Sequence, residues 1–283
     1  MDHAIALIGF GEAGRSFAGA AGWGAAARVF DVKTDYPALR GAMQDAYAQA
    51  GVTGCVGLAP ALDRKALVLS LVTADQALVA ARHAAQHIAS GSLYCDMNSV
   101  APATKQAAAE AIEAAGARYL DVAIMAPVYP RQRAVPVLVS GPHAARALAM
   151  LVELGFSNVR TVGDDVGCAS TIKMLRSVMV KGMEALTAEC LLACHKAGVT
   201  KDVLASFGDE WAGQANCHLD RMMIHGLRRA AEMTEAAQTL EDLGIKPLMS
   251  AGTIERQRAL GALEILSPPR SLTEKLERLA GCR

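Results

Sequence analysis

Short apolar runs rich in β-branched residues alternate with alanine-rich stretches over about the first 160 positions of the chain. The apolar runs predict strands at Ile5–Ile8, Arg28–Phe30, Ala66–Leu71, Leu93–Cys95, Arg118–Val122 and Val137–Val139. The stretches between them predict helices at Ala38–Ala50, Ala74–Ile88, Ala101–Ala115 and His143–Leu154. Strands that are apolar throughout suit a sheet with helices on both faces. This order of elements predicts the α/β class, with a doubly wound, largely parallel Rossmann-type sheet.

The pattern changes after Val162. No proline occurs between Asp165 and Ala197, and apolar residues recur there in steps of three and four, at Ile172, Leu175, Met179, Met183, Leu186, Cys190 and Ala193. This spacing predicts one helix of roughly 30 residues that ends at Gly198. The remaining chain is typical of helix, with breaks near Gly208, Gly226, Gly244–Pro247 and Ser267–Pro269. We expect a dinucleotide-binding domain at 1–163 and an all-helical substrate and oligomerisation domain at 164–283.

Composition and charge exclude several classes of protein. The 283 residues include 28 Lys plus Arg and 28 Asp plus Glu, so the formal charge is zero, which argues against nucleic-acid binding. Hydrophobic residues make up 52%, which excludes general disorder, and aromatic residues only 4%, so most of the apolar content is small and aliphatic. No stretch approaches the roughly 18 uninterrupted apolar residues of a membrane span. Because Met1–His3 lacks the basic lead of a signal peptide, we expect a cytoplasmic protein.

The cysteines are scattered, odd in number and mostly in apolar surroundings, at Cys55, Cys95, Cys168, Cys190, Cys194, Cys217 and Cys282. In a chain of this size they indicate reduced thiols. Cys190 and Cys194, followed by His195, would share one face of a helix and could resemble a metal cluster. Buried small hydrophobic residues are the favoured interpretation, so we expect no metal.

A glycine-rich sequence, G-x-G-x-x-G, follows the first predicted strand and precedes a helical stretch. Its first glycine would allow a tight turn, its second would let a pyrophosphate approach the backbone, and its third would let helix and strand pack closely. The helix N-terminus then offers N–H groups and partial positive charge to phosphates. The motif predicts dinucleotide contacts at Gly9, Phe10, Gly11, Glu12, Ala13 and Gly14.

Asp31 ends the next predicted strand, twenty residues after Gly11. Its carboxylate would accept hydrogen bonds from the adenosine ribose hydroxyls and would repel a 2′-phosphate. Lys33, two residues further, would partly offset that repulsion. The sequence therefore favours NAD as the cofactor and leaves NADP open.

Five motifs in order now resemble the β-hydroxyacid dehydrogenase superfamily, which includes 6-phosphogluconate dehydrogenase. The resemblance covers nearly the whole chain, and the motifs lie at Gly9–Gly14, Ser70–Thr73, Asp96–Pro102, Asp121–Pro127 and Gly167–Lys173. The helical tail around Arg228–Met233 is similar to that of a poorly characterised branch with a variant C-terminal domain. In relatives this domain forms dimers, so the resemblance implies a homodimer.

The resemblance implies that Lys173 is the general acid/base. A neutral amine can take the hydroxyl proton while hydride leaves the alcohol carbon. Arg176, one helical turn away, is a cation that would help to keep that amine neutral. An ordinary surface lysine is the alternative, although a helix N-terminus disfavours a cation.

The other motifs imply further contacts. Cofactor contacts fall on Leu71, Val72, Thr73 and Asn98, and substrate contacts fall on Ser99, Met125, Arg176 and Ser177. An alternative for Asn98 and Ser99 is that they cap the helix that begins near Pro102.

Two departures from the family pattern stand out. Met125-Ala126-Pro127 replaces the usual Ser-Gly-Gly, and proline offers no N–H to a substrate carboxylate. Ser177 replaces the usual asparagine four residues after the lysine. We infer a substrate other than the simplest 3-hydroxy acids. A cationic pocket of Arg131, Arg133 and Arg176 beside Tyr129 is one alternative, and solvated loop charge is the other.

The leading hypothesis is an NAD(P)-dependent oxidoreductase that acts on the CH–OH group of a small polar, anionic substrate. A 6-phosphogluconate-type oxidative decarboxylase is a close alternative. An imine reductase shares the architecture but usually replaces the lysine, so Lys173 counts against it. A non-catalytic nucleotide-binding protein is the alternative from another class.

Overall fold

The structure is a computed structural model that describes residues 5–281. One mixed sheet forms the centre of the N-terminal half. Among the described residues its eight strands lie in the order β3-β2-β1-β4-β5-β6-β7-β8. They are β1 (Ile5–Ile8), β2 (Ala27–Phe30), β3 (Thr53–Gly54), β4 (Leu67–Ser70), β5 (Leu93–Asp96), β6 (Arg118–Ile124), β7 (Val137–Ser140) and β8 (Val159–Thr161). Only the β6–β7 pair is antiparallel in this described sheet. The predicted doubly wound, largely parallel fold is confirmed.

Helices cover both faces of this sheet. They are α1 (Glu12–Ala21), α2 (Pro37–Gln49), α3 (Leu58–Leu62), α4 (Ala77–Ala85), α5 (Pro102–Ala114) and α6 (Ala144–Glu153). Alternate residues of β1 enter opposite cores, because Ile5 and Leu7 pack in one cluster while Ala6 and Ile8 pack in the other. Burial on both faces explains why the central strands are apolar throughout.

The sequence pattern missed the two strands at the sheet edges. Thr53–Gly54 is a two-residue strand with both residues exposed, and Val159–Thr161 is mostly exposed. Neither carries a continuous apolar run, because an edge strand buries little of its surface. The predicted helix at Ala74–Ile88 also begins later, since Ala74–Gln76 forms a 3₁₀ turn before α4.

The C-terminal half is helical throughout its described residues. It contains α7 (Cys168–Ala197), α8 (Thr200–Phe207), α9 (Trp211–Asp242), α10 (Leu248–Gly261) and α11 (Leu272–Gly281). The long helix of 30 residues is confirmed as α7. The breaks predicted near Gly208, Gly244–Pro247 and Ser267–Pro269 fall between helices and are confirmed.

The predicted break at Gly226 is wrong, because α9 continues through it. Gly226 is instead the point at which α10 approaches α9, and a Cβ there would lie 2.3 Å from the carbonyl oxygen of Gln257. A Cβ on Gly261 of α10 would lie 2.3 Å from the backbone nitrogen of Leu227. Glycine therefore serves close helix packing at this position rather than termination.

The chain divides into two units, Met1–Lys173 and Met174–Arg283. The boundary near residue 163 stays a prediction.

None of the helices within residues 5–281 is long and apolar enough to cross a membrane. The cysteines in that range are free thiols, and Cys282 lies outside it. Cys190 and Cys194 lie 3.9 Å apart at sulfur, and no group of three or more His, Cys, Asp or Glu in that range could hold a metal.

Candidate active site

The glycine-rich loop connects β1 to α1 with the geometry that the sequence predicts. Gly9 has φ +88°, and a Cβ there would lie 2.5 Å from the carbonyl oxygen of Leu71. A Cβ on Gly14 would lie 2.9 Å from the carbonyl oxygen of Gly9. Both positions therefore require glycine, the first for a left-handed turn and both for close backbone approach.

The space beside Gly11 is open. No heavy atom lies within 4 Å of the position that a Cβ on Gly11 would take. Gly11 is also the N-cap of α1 and makes no side-chain capping bond. A helix N-terminus carries partial positive charge and N–H donors without intrahelical partners. The loop at Gly9, Phe10, Gly11, Glu12, Ala13 and Gly14 therefore fits the pyrophosphate of a dinucleotide.

Asp31 is buried at the end of β2 and joins two segments. Its Oδ2 accepts a hydrogen bond from the Phe10 amide at 2.7 Å, and its Oδ1 accepts one from the Lys33 amide at 2.9 Å. The Asp31 amide donates to the Tyr47 hydroxyl at 2.9 Å. Burial raises the pKa of the Tyr47 hydroxyl above its ordinary value. A fixed negative charge therefore stands next to the glycine-rich loop.

A cavity of about 660 Å³ opens beside the end of β2. It is lined by residues that include Thr34, Arg40, Tyr47, Gly54 and Cys55. Arg40 Nε donates to the Thr34 carbonyl oxygen at 2.8 Å, which fixes the guanidinium on this wall. The cavity is wide enough to admit part of a nucleotide, and its wall carries a cation.

Asn98 connects the segments that follow β4 and β5. Its Oδ1 accepts from the Val72 amide at 2.7 Å, and its Nδ2 donates to Ser70 Oγ at 3.0 Å. The Leu71 amide donates to Ile8 O at 2.8 Å, so the turn at Leu71, Val72 and Thr73 is anchored to β1 and to Asn98. The contacts of these residues with a cofactor stay predictions.

The capping alternative for Asn98 and Ser99 is wrong. The N-cap of α5 is Ala101, so neither Asn98 nor Ser99 is the capping residue. Pro102 at the first helical position needs no N–H acceptor. Both polar side chains are therefore free of that role.

Lys173 and Ser99 lie together. Lys173 Nζ donates a hydrogen bond to Ser99 Oγ at 2.5 Å, and both side chains are partly buried. Lys173 lies near the start of α7, and Ser99 follows β5. Both belong to the Met1–Lys173 unit, which also carries the glycine-rich loop. The contact places an amine and a hydroxyl, two groups that can bind and transfer protons, next to each other, and a catalytic role for them stays a prediction.

Met125 is a packing residue at the end of β6. Its amide donates to Pro136 O at 2.9 Å, and its side chain packs against Ala123, Leu138 and Ala169. The structure therefore places Met125 beside the start of α7, and a direct substrate contact stays a prediction.

Arg133 does not belong to a cationic substrate pocket. Its guanidinium donates to Ala20 O at 2.7 Å and to Leu154 O, and it lies 5.6 Å from the Trp23 ring centre. These contacts fix the loop to α1 and α6, so this part of the cationic-pocket hypothesis is wrong. Arg131 and Tyr129 of the same loop are exposed.

The remaining predicted substrate residues lie on α7 in the second unit. Arg176 is exposed, whereas Ser177 is buried and accepts a hydrogen bond from Lys181 Nζ at 3.4 Å. Lys181 Nζ also pairs with Glu232 at 2.7 Å. Burial lowers the pKa of Lys181, and the Glu232 charge opposes that shift. Ser177 therefore adjoins an ion pair between a buried lysine and a partly buried glutamate, which the sequence analysis did not identify.

Sequence reasoning also missed Lys105. This lysine is fully buried, and its Nζ lies 3.0 Å from Asp96 Oδ1 and 3.4 Å from Asp121 Oδ1. A signal exists, because Lys105 shares the helical spacing of Ala108 and Ile112, which form the buried face of α5. A charged residue on an apolar helix face is buried only when it is paired, so it predicts a buried partner of opposite charge.

Comparison with protein families gives two matches. A model described as the NAD binding domain of 6-phosphogluconate dehydrogenase matches residues 4–153, which is more than half of the 283-residue chain. A model of a domain of unknown function, DUF1932, matches residues 194–260 in the helical half.

Solved structures agree with this match. A conserved hypothetical protein from Sinorhizobium meliloti is 37% identical, with a TM-score of 0.75, over 99% of this chain and 96% of that one. A conserved protein of unknown function, described as structurally similar to 3-hydroxyacid dehydrogenases, is 30% identical, with a TM-score of 0.67, over 93% of this chain and 98% of that one.

More distant structures show the fold alone. A Mycobacterium tuberculosis 3-hydroxyisobutyrate dehydrogenase, solved with L-serine, is 16% identical, with a TM-score of 0.73, over 97% of this chain and 98% of that one. Imine reductases share the fold at 18% identity. The chain thus belongs to the family defined by the NAD-binding domain of 6-phosphogluconate dehydrogenase, within the superfamily of 3-hydroxyacid-dehydrogenase-like proteins.

Proposed function

We propose that this protein is an NAD(P)-dependent dehydrogenase that interconverts an alcohol and its carbonyl, with Lys173 as the general acid/base. The observation that carries the proposal is the 2.5 Å hydrogen bond from Lys173 Nζ to Ser99 Oγ. The same unit holds the loop that fits a dinucleotide, so a binding element and a proton-transfer element occur in one body.

The chemistry divides between cofactor and protein. When bound, the nicotinamide cofactor supplies a hydride acceptor for the carbinol carbon. In the direction of oxidation Lys173, with its amine neutral, accepts the hydroxyl proton, and the O–H electron pair becomes the second bond of the carbonyl. In the direction of reduction Lys173 returns that proton. Ser99 donates its hydroxyl hydrogen to the same oxygen and orients it toward the amine.

Asp31 favours NAD over NADP in this proposal. Its carboxylate is buried and held by two backbone amides, so it cannot turn away from a 2′-phosphate. Repulsion between the two anions then costs NADP affinity. The exposed Lys33 and the cavity-lining Arg40 are the cations that oppose this repulsion.

The substrate is a small polar anion other than the simplest 3-hydroxy acids. Pro127 has no N–H, so the turn after β6 lacks one backbone donor for a carboxylate. We assign substrate contacts to Ser99, Arg176 and Ser177, and arginine is suited to bind carboxylate or phosphate. Met125 would contribute apolar contact at the same turn.

The test is a turnover screen of hydroxy acids, sugar acids and aryl alcohols with NAD and NADP, using the wild type, Lys173→Ala and Lys201→Ala. Lys201 is an exposed lysine of α8 and serves as the matched control. We expect Lys173→Ala to bind NAD within about twofold of the wild type and to lose about 10²- to 10⁴-fold in kcat. Lys201→Ala should retain full turnover.

Near-normal turnover by Lys173→Ala would contradict the assignment. Carbon dioxide release in the same screen would identify a decarboxylating dehydrogenase. Turnover of cyclic imines with NADPH but not of alcohols would favour an imine reductase. NAD binding by the wild type without turnover of any alcohol would favour a nucleotide-binding protein.

We further propose a cytoplasmic homodimer that assembles through the helical unit. That unit exposes large apolar side chains, with Met179 at 67%, Leu186 at 56%, Leu248 at 67% and Met249 at 77% exposure. Apolar surface of this kind is typical of subunit contacts. Sedimentation equilibrium should give twice the 29.6 kDa chain mass, and Met249→Glu should lower that value toward the monomer.

A further inference from the structure

Three polar side chains lie side by side on three adjacent strands of the sheet, β5, β6 and β7. Asp96 of β5 is paired in register with Asp121 of β6, and Asp121 is paired with Ser140 of β7. All three residues are fully buried, at 0% exposure. We term Asp96, Asp121 and Ser140 the polar row. A buried carboxylate is retained in a protein core only when it is paired and hydrogen-bonded, so the partners of this row identify its role.

Lys105 of α5 links the two carboxylates of the polar row. Its amine lies 3.0 Å from Asp96 Oδ1 and 3.4 Å from Asp121 Oδ1, and it donates to the Asp96 carbonyl oxygen at 2.6 Å. The lysine side chain is also at 0% exposure. One buried cation therefore holds two neighbouring anions that would otherwise repel each other.

One end of the polar row holds the segment that carries Ser99. Asp96 Oδ1 accepts the Asn98 amide at 2.9 Å, and Asp96 Oδ2 accepts the Tyr119 hydroxyl at 2.7 Å. Asn98 directly precedes Ser99. The Asp96 carboxylate thus fixes the backbone from which the Ser99 hydroxyl projects.

The other end of the polar row holds the start of α7. Asp121 Oδ2 accepts the Ser170 amide at 2.8 Å, and Ser140 Oγ accepts the Ala169 amide at 3.0 Å. A carboxylate at a helix N-terminus satisfies unpaired N–H groups and opposes the partial positive charge there. Lys173 follows Ser170 by three residues, about one helical turn.

We propose that Lys105 is a positioning residue that sets the contact between Lys173 and Ser99. Lys105 joins Asp96 to Asp121. The Asp96 carboxylate accepts a backbone amide of the segment that carries Ser99, and the Asp121 carboxylate accepts one of the segment that carries Lys173. The significance for proton transfer rests on the proposed function, whereas the positioning itself does not. Loss of the Lys105 charge should let the two segments separate and lengthen the contact.

The test measures the reactivity of the Lys173 amine, because this readout needs no substrate. Wild-type and variant proteins are labelled with trace acetic anhydride, and the acetylation of Lys173 relative to the exposed Lys201 is measured by peptide mass spectrometry. Ser99→Ala breaks the contact directly and sets the reference shift of this ratio. Lys105→Met removes the link, and Ser140→Ala is a milder variant that retains both carboxylates and the lysine.

Ser92→Ala is the matched control. Ser92 is also a buried serine, and its Oγ donates to Lys65 O at 2.7 Å, outside the polar row. Circular dichroism and NAD binding establish that each variant is folded. Turnover with any substrate found in the screen then gives a second comparison, in which a positioning residue lowers kcat without changing KM for NAD.

We expect Ser99→Ala to change the Lys173 to Lys201 ratio at least threefold. Lys105→Met should give at least half of that change, Ser140→Ala should give a smaller one, and Ser92→Ala should give none. The proposal is overturned if a folded Lys105→Met keeps the wild-type ratio while Ser99→Ala shifts it, if Lys105→Met does not fold and Ser140→Ala keeps that ratio, or if Ser99→Ala itself has no effect. A protein without alcohol turnover but with these shifts would contradict the proposed function and support the positioning role.

Discussion

The amine of Lys173 and the hydroxyl of Ser99 lie 2.5 Å apart, although 74 positions separate them in the sequence. Ser99 belongs to the segment after β5, and Lys173 belongs to the first residues of α7, which are part of the same unit. The fold thus brings together two residues whose types suit proton transfer.

Removal of the Ser99 hydroxyl should slow proton transfer without weakening NAD binding. We expect Ser99→Ala to lower kcat by about 10- to 100-fold, because the amine loses its hydrogen-bond partner and the substrate oxygen loses a donor. KM for NAD should stay within about twofold of the wild-type value. The measurement is steady-state kinetics on the substrate found by the screen.

Ser90→Ala is the control for that variant, because Ser90 is an exposed serine of the same unit. It should retain wild-type kcat. If Ser99→Ala keeps a kcat within twofold of the wild type, Ser99 has no part in the proton transfer.

Replacement of Asp31 should change the cofactor preference. In Asp31→Ser the negative charge is absent, so NADP affinity should rise and NAD affinity should fall, with the ratio of the two dissociation constants changing by about 10-fold or more, equivalent to about 1.4 kcal/mol. Titration calorimetry with both cofactors measures this ratio. Asp45→Ser changes an exposed aspartate of α2 that does not line the cavity and should leave the ratio unaltered, and an unaltered ratio in Asp31→Ser would refute the role of its charge.

Substitution by alanine should destabilise the fold at one glycine of the N-terminal region and stabilise it at another. Gly9 has φ +88° and lacks room for a Cβ, so Gly9→Ala should destabilise the fold by about 1–3 kcal/mol and weaken NAD binding. Gly19 lies inside α1 with no heavy atom within 4 Å of its Cβ position, so Gly19→Ala should stabilise by about 0.5–1 kcal/mol. Urea unfolding measures both, and equal effects would contradict this account of the loop.

Stability should fall at alkaline pH because of Cys95. Burial raises the pKa of this thiol from its ordinary value of about 9 to about 12, and the Asp96 charge adds to the shift. The raised pKa means that its contribution to stability is complete below pH 9 and is lost as pH rises through about 12, since the unfolded chain releases its proton first.

Between pH 8 and pH 10 the wild type should therefore lose about 1.4 kcal/mol more free energy of unfolding than Cys95→Ala. The exposed Cys217 provides the control, and Cys217→Ala should follow the wild type. Identical pH dependence in the wild type and Cys95→Ala would show that the buried thiol is not the cause.

The sequence predicted those parts of the fold in which local pattern and burial agree. The strand at Ile5–Ile8 is apolar because both of its faces are covered, and α7 repeats its apolar residues in helical steps. The short edge strand at Val159–Thr161 buries too little surface to leave such a pattern. The glycine at position 226 predicts a helix break from the sequence alone. Only the close approach of α10 shows why glycine is needed there.

The candidate site was predictable where a motif fixes the backbone, as in the glycine-rich loop. Lys173 and Ser99 were identified from a resemblance, and their contact depends on strand order rather than on spacing along the chain. The link through Lys105 could not be anticipated, because its partners Asp96 and Asp121 become neighbours only when β5 pairs with β6.

The backbone contact between Gly226 and Gly261 has a mechanical consequence for the helical unit. Because no side chains separate α9 from α10 at this point, the two helices have no layer that could be compressed or rearranged. A ligand that displaced α10 would carry α9 with it. Gln257 of α10 and Arg229 of α9 both donate hydrogen bonds to Glu184 of α7. A displacement of α9 and α10 together would therefore also move α7.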